Sequence, residues 1–358
     1  MKSVYFLGAG SSKNFGYPLT NDIMPEIILA LKDNSLFFHS SAKTQNAHSD
    51  HSQLLEYFYQ LYPGLNNVDV VKEKNRIPNI TEVLSMVDHC SFYNIPPHPN
   101  LSDQNLEQFR QLLNRAIGEL MLNYEEKPYT NVERNLLNSF ISPIRKSRTA
   151  NDSLTFITTN YDLIIDNEIQ NEFLIDKVDY GITYRNVFDS NIVTTPSNSA
   201  VKYYKLHGSL NWLQCSLCGY FYINPYGCII HQAFKNETDN ENTCICSDHL
   251  RLKTVLVSPS LVRDIRDSNL LQIWRSALES IRVADKLVFI GYSLPSEDLA
   301  IKSIIMRGIN GRKSSQKLEI DIVQMGDAAK NNYFNLFGNG INYYGNGLEE
   351  YLQTNNIA

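Results

Sequence analysis

His207 lies between a strand-like run, Lys202–Leu206, and a glycine, Gly208. Its imidazole is therefore expected at a strand end, where an open α/β sheet presents its ligand. An imidazole that titrates near neutral pH can act there as a general base, the alternative being a hydrogen-bonded structural histidine. Asn160 and Asp162 hold the same kind of position after Leu154–Thr158. An amide can orient a water or a sugar hydroxyl, and a carboxylate can accept from ribose hydroxyls or a carboxamide N–H. Either side chain can equally cap the helix that Tyr161-Asp-Leu-Ile-Ile165 begins. Ser293 follows Lys286–Ile290 with the same ambiguity, beside Gly291, which lets a ligand near the backbone. Gly8, Ala9, Gly10 and Ser11 follow the apolar run Val4–Leu7. Such a turn brings backbone close to a phosphate and opens a helix whose first N–H groups face an anion, although a plain tight turn has the same signature.

A second chemistry is written in the cysteines. Five of the six fall between Cys215 and Cys246, and in a reducing compartment such a cluster suggests a metal before disulfides. Cys215-x2-Cys218 and, after 25 residues, Cys244-x-Cys246 make two thiolate pairs able to close a tetrahedral structural zinc site. Cys228, His231 and His249 are alternative ligands, and Cys90, standing alone, reads as a core residue.

These groups need a scaffold, and short apolar or β-branched runs supply one. Strands are expected at Val4–Leu7, Leu154–Thr158, Lys202–Leu206, Val255–Ser258, Lys286–Ile290 and Leu318–Gln324, with a seventh at Ile341–Tyr344. Helical periodicity at Leu270–Arg282 and Asp298–Met306 alternates with them, which predicts an α/β fold with a Rossmann-like, largely parallel sheet. Roughly 145 residues separate the first two strands, far more than a crossover needs, so a large helical insertion is expected there. Within it, Leu106, Phe109, Leu113, Ile117 and Leu120 recur at spacings of three and four along a helix from Leu101 to about Asn123. Asn79–Val87 is a further helix with Thr81 as its cap, and the polar stretch Asp33–His51 reads as a loop. The apolar faces and both tryptophans, Trp212 and Trp274, are assigned to core packing. The expected organisation is a Rossmann domain of residues 1–32, 151–212 and 252–358, a helical insertion at 33–150, and a Cys-rich zinc module at 213–251.

With 358 residues, 43% apolar and 20% charged, the chain has an ordinary globular balance. A net charge of −6 argues against strong direct nucleic-acid binding. No apolar run is long enough to span a bilayer, and Met1-Lys-Ser-Val leads into the first strand without a signal-peptide pattern, so a cytoplasmic protein with no membrane contact is expected.

Taken in order, Gly8-Ala-Gly-Ser-Ser12 with Gly16-Tyr-Pro18, Thr158-Thr-Asn-Tyr-Asp162, Leu206-His-Gly-Ser-Leu-Asn-Trp212 and Gly291-Tyr-Ser-Leu-Pro-Ser-Glu-Asp298 resemble the SIR2-like proteins of bacterial antiviral defence, sirtuin relatives that mostly hydrolyse NAD. The resemblance covers about half the chain. It implies that Gly8, Ala9, Gly10 and Ser11 line the pyrophosphate and ribose, that Asn160 orients the attacking water, and that Asp162 meets the nicotinamide end. His207 would engage the nicotinamide ribose as base, and Ser293 with Gly291 would lie by the adenosine ribose. Sirtuins also carry a four-Cys zinc module after their His-Gly motif, with Cys-x2-Cys in both pairs.

Departures from the deacylase pattern bear on the reaction. Thr159 and Tyr161 stand where deacylases have Gln and Ile, and Val255-Leu-Val-Ser-Pro-Ser260 stands in place of their Phe-Gly-Glu peptide-binding strand. The expected activity is therefore NAD glycohydrolysis, as the effector of an antiphage abortive-infection system, with water accepting the ADP-ribosyl group. The resemblance implies control by homo-oligomerisation or by an activating partner, such as a HerA-type ATPase, a nucleotide-processing enzyme or an Argonaute-like protein. A deacylase or ADP-ribosyltransferase, and a non-catalytic NAD or ADP-ribose sensor, are the alternatives.

Overall fold

Strand β1 (Lys2–Leu7) lies at the middle of the sheet, and its apolar run is covered on both faces. The computed structural model describes residues 1–37, 45–99, 101–146, 153–172, 178–194, 201–230, 233, 244–246, 252–257, 267–296, 298–313 and 316–355. After β1 come helices α1 (Ala9–Lys13), α2 (Thr20–Lys32), α3 (Gln45–Leu61), α4 (Ile80–Tyr93), α5 (Asp103–Glu125) and α6 (Asn131–Lys146). The chain then returns as β2 (Ser153–Thr158), α7 (Ile164–Glu172), β3 (Val178–Asp179), β4 (Tyr184–Asn186), β5 (Ile192–Val193) and β6 (Val201–Lys205). Next are β7 (Gly208–Cys215), β8 (Phe221–Ile223), β9 (Leu252–Leu256), α8 (Ser268–Val283), β10 (Lys286–Ile290) and α9 (Leu299–Asn310). Strand β11 (Glu319–Val323), α10 (Lys330–Phe337), β12 (Asn342–Tyr344) and α11 (Gly347–Thr354) complete the order.

Seven strands form one parallel sheet in the order β12-β11-β10-β1-β2-β6-β3. From β1 the chain steps to β2, then to the edge strand β3 and back to β6 between them, before restarting on the other side at β10 and working outward through β11 and β12. The reversal falls between β1 and β10, and in such sheets a crevice for ligand opens beyond the strand ends at that point. Because helices cover both faces, the central strands are nearly continuous apolar runs rather than alternating ones. This is the expected Rossmann-like α/β layout, and the strands at Val4, Leu154, Lys202, Lys286, Leu318 and Ile341 all fall where the sequence placed them, to within a few residues.

One strand went to a different sheet. The run at Val255 belongs to β9, which pairs antiparallel with β7 in a second sheet of order β5-β4-β8-β7-β9. Local composition marks a strand but not its partner, and β7, which supplies that partner, was not anticipated after the His-Gly turn. Strand β7 runs from Gly208 to Cys215, so one continuous element joins the neighbourhood of His207 to the first cysteine.

The segment between β1 and β2 is helical, as expected. Leu106, Phe109, Leu113, Ile117 and Leu120 are all buried along α5, which packs with α2, α3 and α4 and touches β7. Ser102 and Asn105 start α5 with a reciprocal capping box. Two local expectations need correction. The cap of α4 is Asn79, whose Oδ1 accepts the Glu82 N–H at 2.8 Å, while Thr81 is inside the helix. The end of the stretch read as a loop, Gln45–His51, is the first part of α3, because the apolar face that stabilises it begins only at Leu54. Residues 38–44 of that stretch lie outside the described residues. Trp212 is fully buried, and half-buried Trp274 donates its Nε1–H to the Leu206 carbonyl at 2.9 Å.

Among the described residues no helix is long and apolar enough to cross a membrane.

Candidate functional site

Three of the sequence motifs meet at the carboxyl ends of β1, β2 and β10. The turn after β1 is fastened to the turn after β10: the Gly8 N–H donates to the Ile290 carbonyl at 3.0 Å and the Gly10 N–H to that of Gly291 at 2.8 Å. A Cβ on Gly8 would stand 2.6 Å from the Tyr292 Cα, and one on Gly10 2.8 Å from the Gly291 Cα. Gly291 itself has φ +60, and a Cβ there would stand 2.0 Å from the Ser11 nitrogen. The glycines are therefore required by backbone packing of two loops. The sequence left a phosphate-facing turn and a plain tight turn open; the packing of the two loops accounts for the glycines by itself, and with Ser11 N–H also donating to the Gly8 carbonyl, three of the turn's N–H groups are bonded within the protein.

Asn160 closes this arrangement from β2. Its Nδ2 donates to the Gly8 carbonyl at 2.9 Å and to Ser12 Oγ at 2.8 Å, so the amide end is committed and Oδ1 is left as acceptor. Ser12 in turn donates to Asp162 Oδ2 at 2.6 Å, and Asp162 Oδ1 accepts the Ile164 N–H at 3.2 Å at the start of α7. Asp162 is thus a buried helix-starting carboxylate as well as a neighbour of the motif residues. Burial raises its pKa, against the lowering influence of Lys205 and the Ser12 hydroxyl. Lys205, at the end of β6, is fully buried and bridges the Asp162 carbonyl at 2.6 Å and Asp166 Oδ2 at 2.7 Å. Removing one partner of such a buried pair costs about 3–5 kcal/mol, which is why this edge of the site is firm. A cavity of about 10 Å³, room for about one water, is lined by Ser11, Ser12, Thr158, Asn160 and Asp162 on its polar side and by Leu7, Phe15 and Phe140 among others on its apolar side.

His207 follows β6 on the next strand over from Asn160 and is buried. Its carbonyl accepts the Val257 N–H at 2.8 Å, and the Tyr161 hydroxyl donates to the Val257 carbonyl at 2.6 Å. The Tyr161 and His207 rings lie 6.5 Å apart. Gly208 has φ +81, and a Cβ there would fall 1.8 Å from the Val255 carbonyl oxygen, so the residue after His207 can only be glycine. Ser293 stands apart from the cluster: it is exposed, and its carbonyl accepts from Asn332 Nδ2 at 3.0 Å.

The cysteine motif forms its own centre. The Sγ atoms of Cys215, Cys218, Cys244 and Cys246 all lie within 4.8 Å of one another, with Cys215–Cys246 at 3.6 Å and Cys218–Cys244 at 3.4 Å. Four thiolates around zinc at about 2.3 Å would be separated by about 3.8 Å, so the donor set and spacing fit that ion. Of the alternatives, Cys228 is elsewhere, its Sγ donating to the Leu210 carbonyl, and His231 and His249 lie outside the described residues.

No family model and no curated protein matches the chain. Among solved structures it is similar to a sirtuin from work on the mechanism and regulation of Sir2 enzymes, with 13% identity and a TM-score of 0.41 over 99% of this chain and 90% of that one. A complex of Sir2 with p53 peptide and NAD+ gives 15% identity and a TM-score of 0.40 over 98% and 90%. An ADP-ribose complex of a Sir2 homologue gives 12% and 0.39 over 99% and 90%.

Three groups around the site had no role in the sequence reading. Ser12 links Asn160 to Asp162, and Lys205 anchors the segment that follows. Glu125, the last residue of α5, accepts the Leu163 N–H through Oε1 at 2.7 Å and is hydrogen-bonded to Tyr17. Burial first, and the charge of Asp162 second, push its carboxyl up to about 7. One signal was available: a carboxylate in the last turn of a helix opposes the macrodipole, so it points to a bond made elsewhere.

Proposed function

We propose that this chain is an NAD glycohydrolase that binds NAD+ beyond the ends of β1, β2, β6 and β10 and hydrolyses it to nicotinamide and ADP-ribose. The observation that carries this reading is the placement of Asn160 and His207 after the ends of adjacent parallel strands, with the Gly8 and Gly291 turns fastened together at the neighbouring β1–β10 reversal. Nicotinamide leaves as a neutral base as its C–N bond to ribose breaks, which produces an oxocarbenium-like sugar and needs no strong acid. Water adds to that carbon, and its proton passes to His207 as base. With its amide end bonded to Gly8 and Ser12, Asn160 offers a fixed Oδ1 to orient the water. Gly8, Ala9, Gly10, Ser11 and Asp162 would form the wall towards pyrophosphate and ribose, with Gly291 and Ser293 towards adenosine. The cysteine centre would hold a structural zinc ion.

Water is the favoured acceptor because the Tyr161 hydroxyl is bonded to the Val257 carbonyl, in the stretch that stands where deacylases bind an acyl-peptide strand. In keeping with the resemblance, the activity would serve an antiphage abortive-infection response in the cytoplasm, switched on by assembly of the chain or by a partner protein from its defence operon.

The test is nicotinamide release from NAD+ by the purified protein beside Asn160→Ala and His207→Ala, with the fate of ADP-ribose followed. We expect free ADP-ribose and a loss of more than about 100-fold in each variant. ADP-ribose attached to an acceptor would indicate a transferase or deacylase. Stabilisation by NAD+ without nicotinamide release, with and without candidate activators, would indicate a sensor. Neither binding nor turnover would overturn the assignment.

A further inference from the structure

The helical segment between β1 and β2 reaches into the site at Glu125. From Thr159 to Leu163 the chain has no regular structure, so individual bonds set its course between β2 and α7, among them Tyr161 hydroxyl to the Val257 carbonyl, Leu210 N–H to the Tyr161 carbonyl and Lys205 Nζ to the Asp162 carbonyl. The Thr159 N–H donates to the Leu7 carbonyl at 3.2 Å, the Asn160 N–H to Thr158 Oγ1 at 3.0 Å, and the Leu163 N–H to Glu125 at 2.7 Å. The first two fasten the segment to the sheet, while the third fastens it to the end of α5. Glu125 is itself held by the Tyr17 hydroxyl, from the loop that follows the Gly8 turn. A continuous chain of bonds thus runs from Tyr17 through Glu125 to Leu163, whose neighbour Asp162 is bonded to Ser12, and from Ser12 to Asn160 and the Gly8 carbonyl. The Leu163 N–H bond holds a carboxyl oxygen in place at a helix C-terminus, where the macrodipole disfavours a negative charge.

We infer that Glu125 is a positioning residue: by holding the Leu163 N–H it keeps Asn160 and Asp162 in place against the Gly8 turn and ties the end of α5 to the site. Its effect on turnover rests on the NAD glycohydrolase reading, whereas its hold on Leu163 does not.

The experiment compares wild type with Glu125→Ala, Glu125→Gln and, in case the alanine variant folds poorly, Glu125→Leu. Amide exchange of the segment containing Leu163 is read first, without substrate. Steady-state nicotinamide release from NAD+ is read second. The alanine and leucine variants should raise exchange at Leu163 about tenfold and lower kcat about tenfold, with KM within about twofold of wild type. Glu125→Gln keeps an acceptor oxygen and should restore both readings. Unchanged exchange at Leu163 in the alanine and leucine variants would overturn the proposal, as would an active wild type whose kcat those variants leave intact. A wild type that binds no NAD+ and releases no nicotinamide under any condition would instead sink the functional reading, and the exchange comparison would still decide whether Glu125 holds the segment.

Discussion

At the scale of residues, the site depends on buried polar groups whose partners come from distant parts of the chain. Asp162 accepts the N–H that starts α7, as the capping reading had it, whereas Asn160 donates to the Gly8 turn and caps no helix. Glu125 extends the point to electrostatics. Its carboxyl is pushed from 4.5 up to about 7 by burial and by Asp162. Between those values the folded chain holds a proton that the unfolded chain has released. The carboxyl's contribution to stability is therefore full below about 4.5, falls as pH rises, and is lost above about 7. Glu125→Gln does not titrate, so its melting temperature should decline less than that of wild type across this window. Thermal melts of both proteins from pH 4.5 to pH 8 check this, and parallel curves would mean that the carboxyl ionises normally.

At the scale of elements, β7 matters most. One end begins with Gly208, which no other residue can replace, and the other end is Cys215 of the four-cysteine cluster. Strand β9 pairs along β7 and leads into Val257, which bonds the His207 carbonyl. The small sheet therefore connects the cysteine centre to the backbone that carries His207. A structural zinc contributes folding free energy directly, so its removal should loosen this sheet. We expect the purified protein to hold about one zinc per chain. Chelation should then lower both the melting temperature and the rate of nicotinamide release. Metal loss that leaves turnover unchanged would separate the cysteine centre from the site.

At the scale of the whole molecule, an unregulated NAD hydrolase would be lethal to its host, so activity is expected to depend on assembly or on a partner. If the proposed glycohydrolase is switched on by self-assembly, nicotinamide released per chain rises with protein concentration, as mass action requires; if it is switched on by a partner, it rises on addition of that protein. A rate per chain that is already high and flat from nanomolar to micromolar protein would count against this control. By itself the sequence determined six of the seven strand positions of the parallel sheet, all but the two-residue edge strand β3, together with the helical insertion and the cysteine motif, because apolar runs, three-and-four spacing and Cys-x2-Cys are local patterns. It also marked Gly8, Gly10 and Gly291 as glycines with a purpose. Only the tertiary structure decided what that purpose was, since the atoms that forbid a Cβ at these positions belong to a loop at the far end of the chain. The same holds for the sheet to which β9 belongs, for the Ser12–Asn160–Asp162 linkage and for Glu125 against Leu163. Strand pairing and buried hydrogen bonds are set by packing between distant segments, and no local window of residues contains both partners.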